Sequence, residues 1–210
     1  LMSFYIMDCE SLADISTILG KNAEAMELTQ RAEKYKKALA TLWNEENGIY
    51  LNKRTDKEEI SYRLAPTNFY PLLVKLPSQS QAERMVKNYL MNPKEFYGEY
   101  MIPSISRSDT AFGGEYWRGR IWGPMNLLVY LGLRNYDLPD AQKALVDKSR
   151  KLILKSWRET GMVWENFDPN NGQGGNAINS DSYYHWSTLL GFLSFIDKGL
   201  VPAPMGRISK

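Results

Sequence analysis

The 210-residue sequence predicts an all-α fold built as an array of helical hairpins. Apolar residues recur every three or four positions over most of the chain, the period of a helix that buries one face. Extended stretches are too few for a sheet-based domain. Short links alternate with long loops rich in Gly, Asn and aromatic residues, so the helices come in pairs.

The first helix runs from about Met2 to Leu19, with Phe4, Met7, Cys9, Leu12, Ile15, Ile18 and Leu19 as its apolar stripe. Gly20 stops it, because glycine enters the left-handed C-cap without steric cost. Asn22 restarts the chain as an N-cap, and a long helix is expected over Ala23 to Trp43. Its stripe includes Ala25, Leu28, Ala32, Tyr35, Leu39 and Leu42, while Lys34 to Ala40 reads as its solvated face. Asn47-Gly48 then marks a turn into a short extended stretch. Pro66 opens an apolar helix over about Ala65 to Val74, which Pro71 should shorten or kink. Ser78 and Gln81 have the spacing of a capping box, opening a helix to about Leu90. An irregular stretch from Asn92 to Gly119 is too long for a mere connector. Helices follow over about Ile121 to Tyr136 and from Asp140 to near Arg158. A second long loop covers Gly161 to Ser182, and a last helix Tyr183 to Lys198. The tail from 201 to 210, with two prolines, is expected on the surface. In such an array the long loops share one end, which becomes a site surface on a rigid scaffold.

Composition excludes several classes of function. Apolar residues at 43% and charged residues at 24% describe an ordinary globular chain. A formal net charge of +2, without long like-charge blocks, gives no footprint for nucleic acid. No apolar run reaches the ~20 residues of a membrane span. One cysteine allows neither an intrachain disulfide nor a Cys-rich zinc site. Cys9 is read as a packed thiol ahead of a nucleophile. The N-terminus lacks the basic region and cleavage site of a signal peptide, and Leu1 reads as a cut inside a longer chain. Bacterial cytoplasm and periplasm both stay open.

The chemistry concentrates in three segments. Glu115-Tyr116-Trp117-Arg118-Gly119-Arg120-Ile121-Trp122 leads into a helix carrying Asn126. Indoles offer flat apolar faces and arginines fixed donor forks, the pairing a sugar ring needs. A packed helix start with an Arg–acid pair is the equal alternative. Trp164-Glu165-Asn166-Phe167-Asp168-Pro169 precedes a Gly/Asn-rich loop. Glu165 there could serve as a general base, its carboxyl raised by aromatic desolvation; otherwise it is a turn or surface acid. Asp168 to Gly172 is also a candidate calcium loop, without EF-hand spacing. Tyr184-His185-Trp186-Ser187 contains the only histidine. No G-x-S-x-G elbow accompanies His185, which reads as a polar lining or packed side chain.

Together these segments resemble glycoside hydrolase family 63, the family of processing alpha-glucosidase and related bacterial enzymes. Tyr116 to Trp122 is similar to its Y-W-R-G-x-I/V-W motif, and Glu165 to Gly172 to its E-N/Q-Y-D/N-P-x-x-G motif. Tyr184 to Ser187 resembles the aromatic entrance to the closing helix, with His185 where Gly or Ser is common. The order and spacing of the three also match. The resemblance implies an (α/α)6 toroid of the six-hairpin glycosidase type, of which 1–200 would form about the C-terminal half and 201–210 a tail. It implies hydrolysis of alpha-glucosidic or alpha-mannosidic bonds with inversion, with Glu165 as general base. Trp117, Arg118, Trp122, Asn126, Tyr184 and Trp186 would bind the substrate. The family's acid is an Asp in a G-W-D motif upstream of the helix matching Met2 to Leu19; Asp8, Asp109 and Glu115 do not match it. The implied partners are an oligosaccharide or glycoside and the rest of the catalytic domain, with no cofactor, metal or nucleic acid. A half barrel would leave the flanks of its end helices exposed. The alternative function is a non-catalytic carbohydrate-binding or scaffold module, which would keep the aromatic platform without the acid.

Overall fold

The structure, a computed structural model, describes residues 1–177 and 180–204. Helices α1 (Met2–Ile18) and α2 (Asn22–Ala40) form the first hairpin. Gly20 carries the positive φ of 72° that ends α1, as its residue type requires. Lys21 rather than Asn22 stands at the N-cap of α2. The chain leaves α2 earlier than the apolar stripe suggested, because Trp43 is taken into a strand. Strands β1 (Trp43–Asn44) and β2 (Ile49–Tyr50) pair antiparallel around Gly48, followed by β3 (Asn52–Lys53) and β4 (Ile60–Ser61). These two-residue strands leave the architecture all-α.

Pro66–Val74 is a 3-10 helix throughout. Pro71 inside it has no N–H for an α-helical ladder. Ser78 and Gln81 make the reciprocal capping box: Gln81 N–H donates to Ser78 Oγ at 3.2 Å, and Ser78 N–H to Gln81 Oε1 at 2.9 Å. They open α3 (Gln79–Met85), which runs into a π-helical turn at Val86–Leu90. Then come α4 (Gly123–Leu133), α5 (Pro139–Thr160), a 3-10 turn at His185–Ser187 and α6 (Thr188–Asp197). The two long loops stay irregular. The last helix starts later than Tyr183, which sits at a positive φ of 57° that a helix does not allow.

The helices form two layers. α1, the Pro66–Val74 helix, α4 and α6 pack side by side in one row, with α2 behind α1 and α5 behind α6. Phe69, Leu72, Tyr130, Leu133 and Leu193 lie in the main core between them. Cys9 is 2% exposed among Ile6, Ala32, Leu39 and Val74, so it is packed as a small apolar group. Lys36, within the cluster read as a solvated face, is half-buried and pairs with Glu10 of α1 at 2.5 Å. Part of the tail is not surface: Val201 and Ala203 are half-buried against the core, while residues 205–210 of that expected tail lie outside the described residues. Among the described residues no helix is long and apolar enough to cross a membrane.

Both ends of the row carry exposed apolar side chains. Leu12, Ile15 and Ile18 of α1 are at least half exposed, as are Trp157 of α5 and Phe195 of α6. The α1 stripe read from the sequence therefore splits: Cys9 packs inward, and its later members face solvent.

The row is fastened at the loop end where α4 begins. A Cβ on Gly123 would stand 2.2 Å from the carbonyl oxygen of Trp186 and 2.9 Å from Ser187 Cα. Both are backbone atoms that cannot swing aside. Gly123→Ala is expected to force α4 away from the 186–187 segment and to cost ~1–3 kcal/mol of stability, the usual range for overpacking. A urea midpoint unchanged from wild type would contradict that tight approach.

Candidate active site

Backbone bridges bring the three aromatic segments together. Ile121 pairs with Pro103 on one side and Phe167 on the other, and Trp164 pairs with Ser182. Ile121 N–H donates to the Phe167 carbonyl at 2.8 Å, and Phe167 N–H returns a bond to Ile121 at 3.1 Å. Glu165 is held twice by its own backbone: its N–H donates to the Asp181 carbonyl at 2.8 Å, and its carbonyl accepts from Ser187 Oγ at 2.8 Å. Segments tens of residues apart thus form a small irregular ladder at the loop end of α4 and α6.

Side chains on the extended stretch at 164–168 alternate. Phe167 enters a core with Tyr100, Ile121, Leu152 and Leu190. Glu165 is 9% exposed. Burial pushes its carboxyl above the ordinary glutamate range; the Asp181 backbone opposes the rise and the Asp181 charge adds to it. The Tyr116 phenol is also pushed up, first by burial and then by the charges of Glu165, Tyr184 and Asp181. Those four groups share one electrostatic neighbourhood.

The rings around them interlock. Trp117 stacks on Trp122 with centroids 3.9 Å apart and planes 10° from parallel. Tyr116 meets Trp122 edge-on at 4.9 Å, Trp186 meets Trp122 at 5.8 Å, and Tyr184 meets Trp186 at 5.4 Å. Trp117 is 44% exposed, while Trp122 is fully covered and its Nε1–H donates to the Tyr116 carbonyl at 3.2 Å. Trp122, expected at the sugar face, is therefore the floor beneath Trp117, and Trp117, Tyr184 and Trp186 carry the accessible faces.

Two other expected substrate ligands, Asn126 and Arg118, differ in what they present. Asn126 is fully buried; its Oδ1 accepts from Ile102 N–H at 2.6 Å, and its Nδ2 donates to the carbonyls of Trp122 and Ile102. This carboxamide braces the backbone and presents nothing to a ligand. Arg118 lies at an exposed loop tip, paired with Glu115. His185 is exposed and stacks on Tyr184 at 5.1 Å. Asp109 is tied to Arg63 at 3.0 Å, and Asp8 lies exposed on α1.

Sequence reasoning passed over Arg120, Asn166 and Asp181. Arg120 is 1% exposed; its Nε donates to Asn166 Oδ1, and its Nη2 to the carbonyls of Gln173 and Gly174 and to Asn176 Oδ1 at 3.0–3.1 Å. Burial lowers its basicity, with the charge of Asp168 opposing. It ties the Glu165 stretch to the Gly-rich loop. Its only signal in the sequence was a second Arg two positions after Arg118. In the candidate calcium loop, Asp168 Oδ1 accepts from the backbone N–H of Asn170 at 2.8 Å and of Asn171 at 3.3 Å, so this carboxylate closes the turn. Among the described residues no three His, Cys, Asp or Glu could hold a metal ion together.

Residues 1–187 match the mannosylglycerate hydrolase MGH1-like glycoside hydrolase domain. The chain belongs to this glycoside hydrolase family. A probable mannosyl-oligosaccharide glucosidase of Schizosaccharomyces pombe is 28% identical over 191 residues, covering 83% of the chain and 24% of that protein. A mannosylglycerate hydrolase of Rubrobacter radiotolerans is 30% identical over 184 residues, covering 85% of the chain and 39% of that protein. The chain thus spans well under half the length of these relatives. The crystal structure of a family 63 mannosylglycerate hydrolase of Thermus thermophilus with glucose superposes with a TM-score of 0.77 at 22% identity, over 92% of the chain and 46% of that structure. The two-layered row of helices in this family domain is part of an (α/α)6 toroid.

Proposed function

We propose that this chain is the C-terminal part of the catalytic toroid of an inverting glycoside hydrolase acting on an alpha-glucoside or alpha-mannoside. The observation that carries the reading is Glu165, a buried carboxylate beside a cluster of stacked rings, its carboxyl raised by burial. A base must be ionised near working pH and basic enough to take a proton, which a raised carboxyl provides. Glu165 deprotonates a water that attacks the anomeric carbon from the face opposite the leaving group. An acid from the remainder of the domain protonates the leaving oxygen, roughly 6.5–9.5 Å from Glu165 so that the water fits between. Tyr184 and Trp186 stack against the sugar at the bond, and Trp117 offers its one open face to the substrate beside it. Residues 1–200 belong to the toroid and 201–210 form its tail. The names of the relatives, a mannosyl-oligosaccharide glucosidase and a mannosylglycerate hydrolase, support the two sugars proposed.

The stereochemistry tests the mechanism independently of any variant. Proton NMR during hydrolysis of an alpha-glycoside by the full-length protein is expected to register the beta anomer of the released sugar first. First appearance of the alpha anomer would mean a retaining mechanism and would remove Glu165 from the role of base.

A further inference from the structure

A crevice of about 950 Å³ opens between the 112–118 loop and the 168–177 loop. That is within the ~300–1,000 Å³ of ordinary ligand pockets. Glu165 and Trp186 do not line it. Alternation along the 164–168 stretch explains why. Trp164 lies against Gly174 and Gly175, Asn166 meets Arg120, and Asp168 meets Asn176, all toward the Gly-rich loop. Phe167 packs into the core with Tyr100, Leu152 and Leu190. Tyr116 stands at the boundary: it lines the crevice, and its phenol feels the charge of Glu165.

We propose that this crevice is a second saccharide subsite, taking a neutral sugar unit of the substrate beyond the bond that Glu165 helps to cleave. The inference rests on the glycosidase reading and extends it. The walls supply what a pyranose needs, an apolar face and donors at its rim. Trp117 and Phe112 are the apolar walls. Trp117 is held rigid because its other face is stacked on Trp122. Asn170 is oriented by Arg107, whose Nη1 donates to Asn170 Oδ1 at 2.9 Å. That bond leaves the Asn170 amide N–H groups to donate to a hydroxyl. The lining itself carries Arg118 and Arg120 against Glu115 and Asp168, two charges of each sign, which favours a neutral unit over an anion. Arg118 is paired with Glu115, and Arg107 and Arg120 donate to carbonyl and carboxamide oxygens on either side of Asp168.

Two variants of the full-length protein test this. Gly113 lines the crevice, and a Cβ there meets nothing closer than 3.9 Å, so a side chain can start at this position and Gly113→Phe adds bulk to the crevice. Asn170→Asp keeps the acceptor for Arg107 and removes the donor. Both are compared with wild type on an alpha-linked trisaccharide and on an aryl glycoside of the same terminal sugar. The ratio of kcat/KM for the long substrate to that for the short one is expected to fall about tenfold, through KM, as loss of one good hydrogen bond or stacking contact would produce. Equal effects on both substrates, or no effect on either, would overturn the subsite. Should the wild type hydrolyse neither substrate, the glycosidase reading fails, and calorimetric titration with the trisaccharide decides the crevice. Weaker binding by Gly113→Phe supports it; wild-type binding by both variants, or no binding by wild type, overturns it.

Discussion

Glu165→Gln in the full-length protein is expected to lower hydrolysis of its alpha-glycoside by at least ~100-fold, the smallest usual contribution of a positioned general base. Glutamine keeps nearly the shape and reach of glutamate and cannot accept the proton. Binding of a sugar inhibitor, measured by calorimetry, should be largely kept, because Trp117, Tyr184 and Trp186 remain. The loss therefore falls on kcat rather than KM. The pH profile gives a second check. Burial, the largest influence, raises the Glu165 carboxyl in the folded protein. A base works only when ionised, so activity is lost as pH falls through the raised value. The acid limb of kcat/KM should accordingly lie above the ordinary glutamate range and be absent from the residual activity of the variant. Wild-type turnover by Glu165→Gln would sink the assignment.

These 210 residues expressed alone are expected to hydrolyse neither alpha-glucosides nor alpha-mannosides measurably, while the full-length protein turns over its substrate. A general acid contributes roughly 100- to 10,000-fold. The three acids singled out in the sequence are placed away from that role: Asp109 is held by Arg63, Glu115 by Arg118, and Asp8 is exposed on α1. The same expression should yield a chain that self-associates, since Leu12, Ile15 and Ile18 at one end of the row and Phe195 at the other lie open to solvent. Size-exclusion chromatography and an aryl-glycoside assay measure both. Robust turnover by the isolated chain would put the acid within it and make Asp8, Asp109 and Glu115 the residues to mutate first.

Local chemistry was legible in the residues, and the division between packed and presented side chains was not. Gly20, the Ser78–Gln81 box and Pro71 act through the backbone of their own neighbours, so their effects follow from position alone. Leu12 and Ile15 belong to the same helical period as Cys9 and lie on a face left open, because periodicity marks an apolar side chain without saying what covers it. Trp117 and Trp122 were indistinguishable as sugar platforms until one stacked over the other. Arg118 and Arg120 are two residues apart; a bridge pairing Ile121 with Phe167 sends Arg120 inward while Arg118 stays at the loop tip. The all-α class and the hairpin order could be read from the chain, since both are written in spacing, and the glycosidase-like motif set through its resemblance to family 63. That Glu165 is buried and near Asp181 came from the fold. Burial and charge proximity are properties of segments brought together across the molecule, and no local pattern contains them.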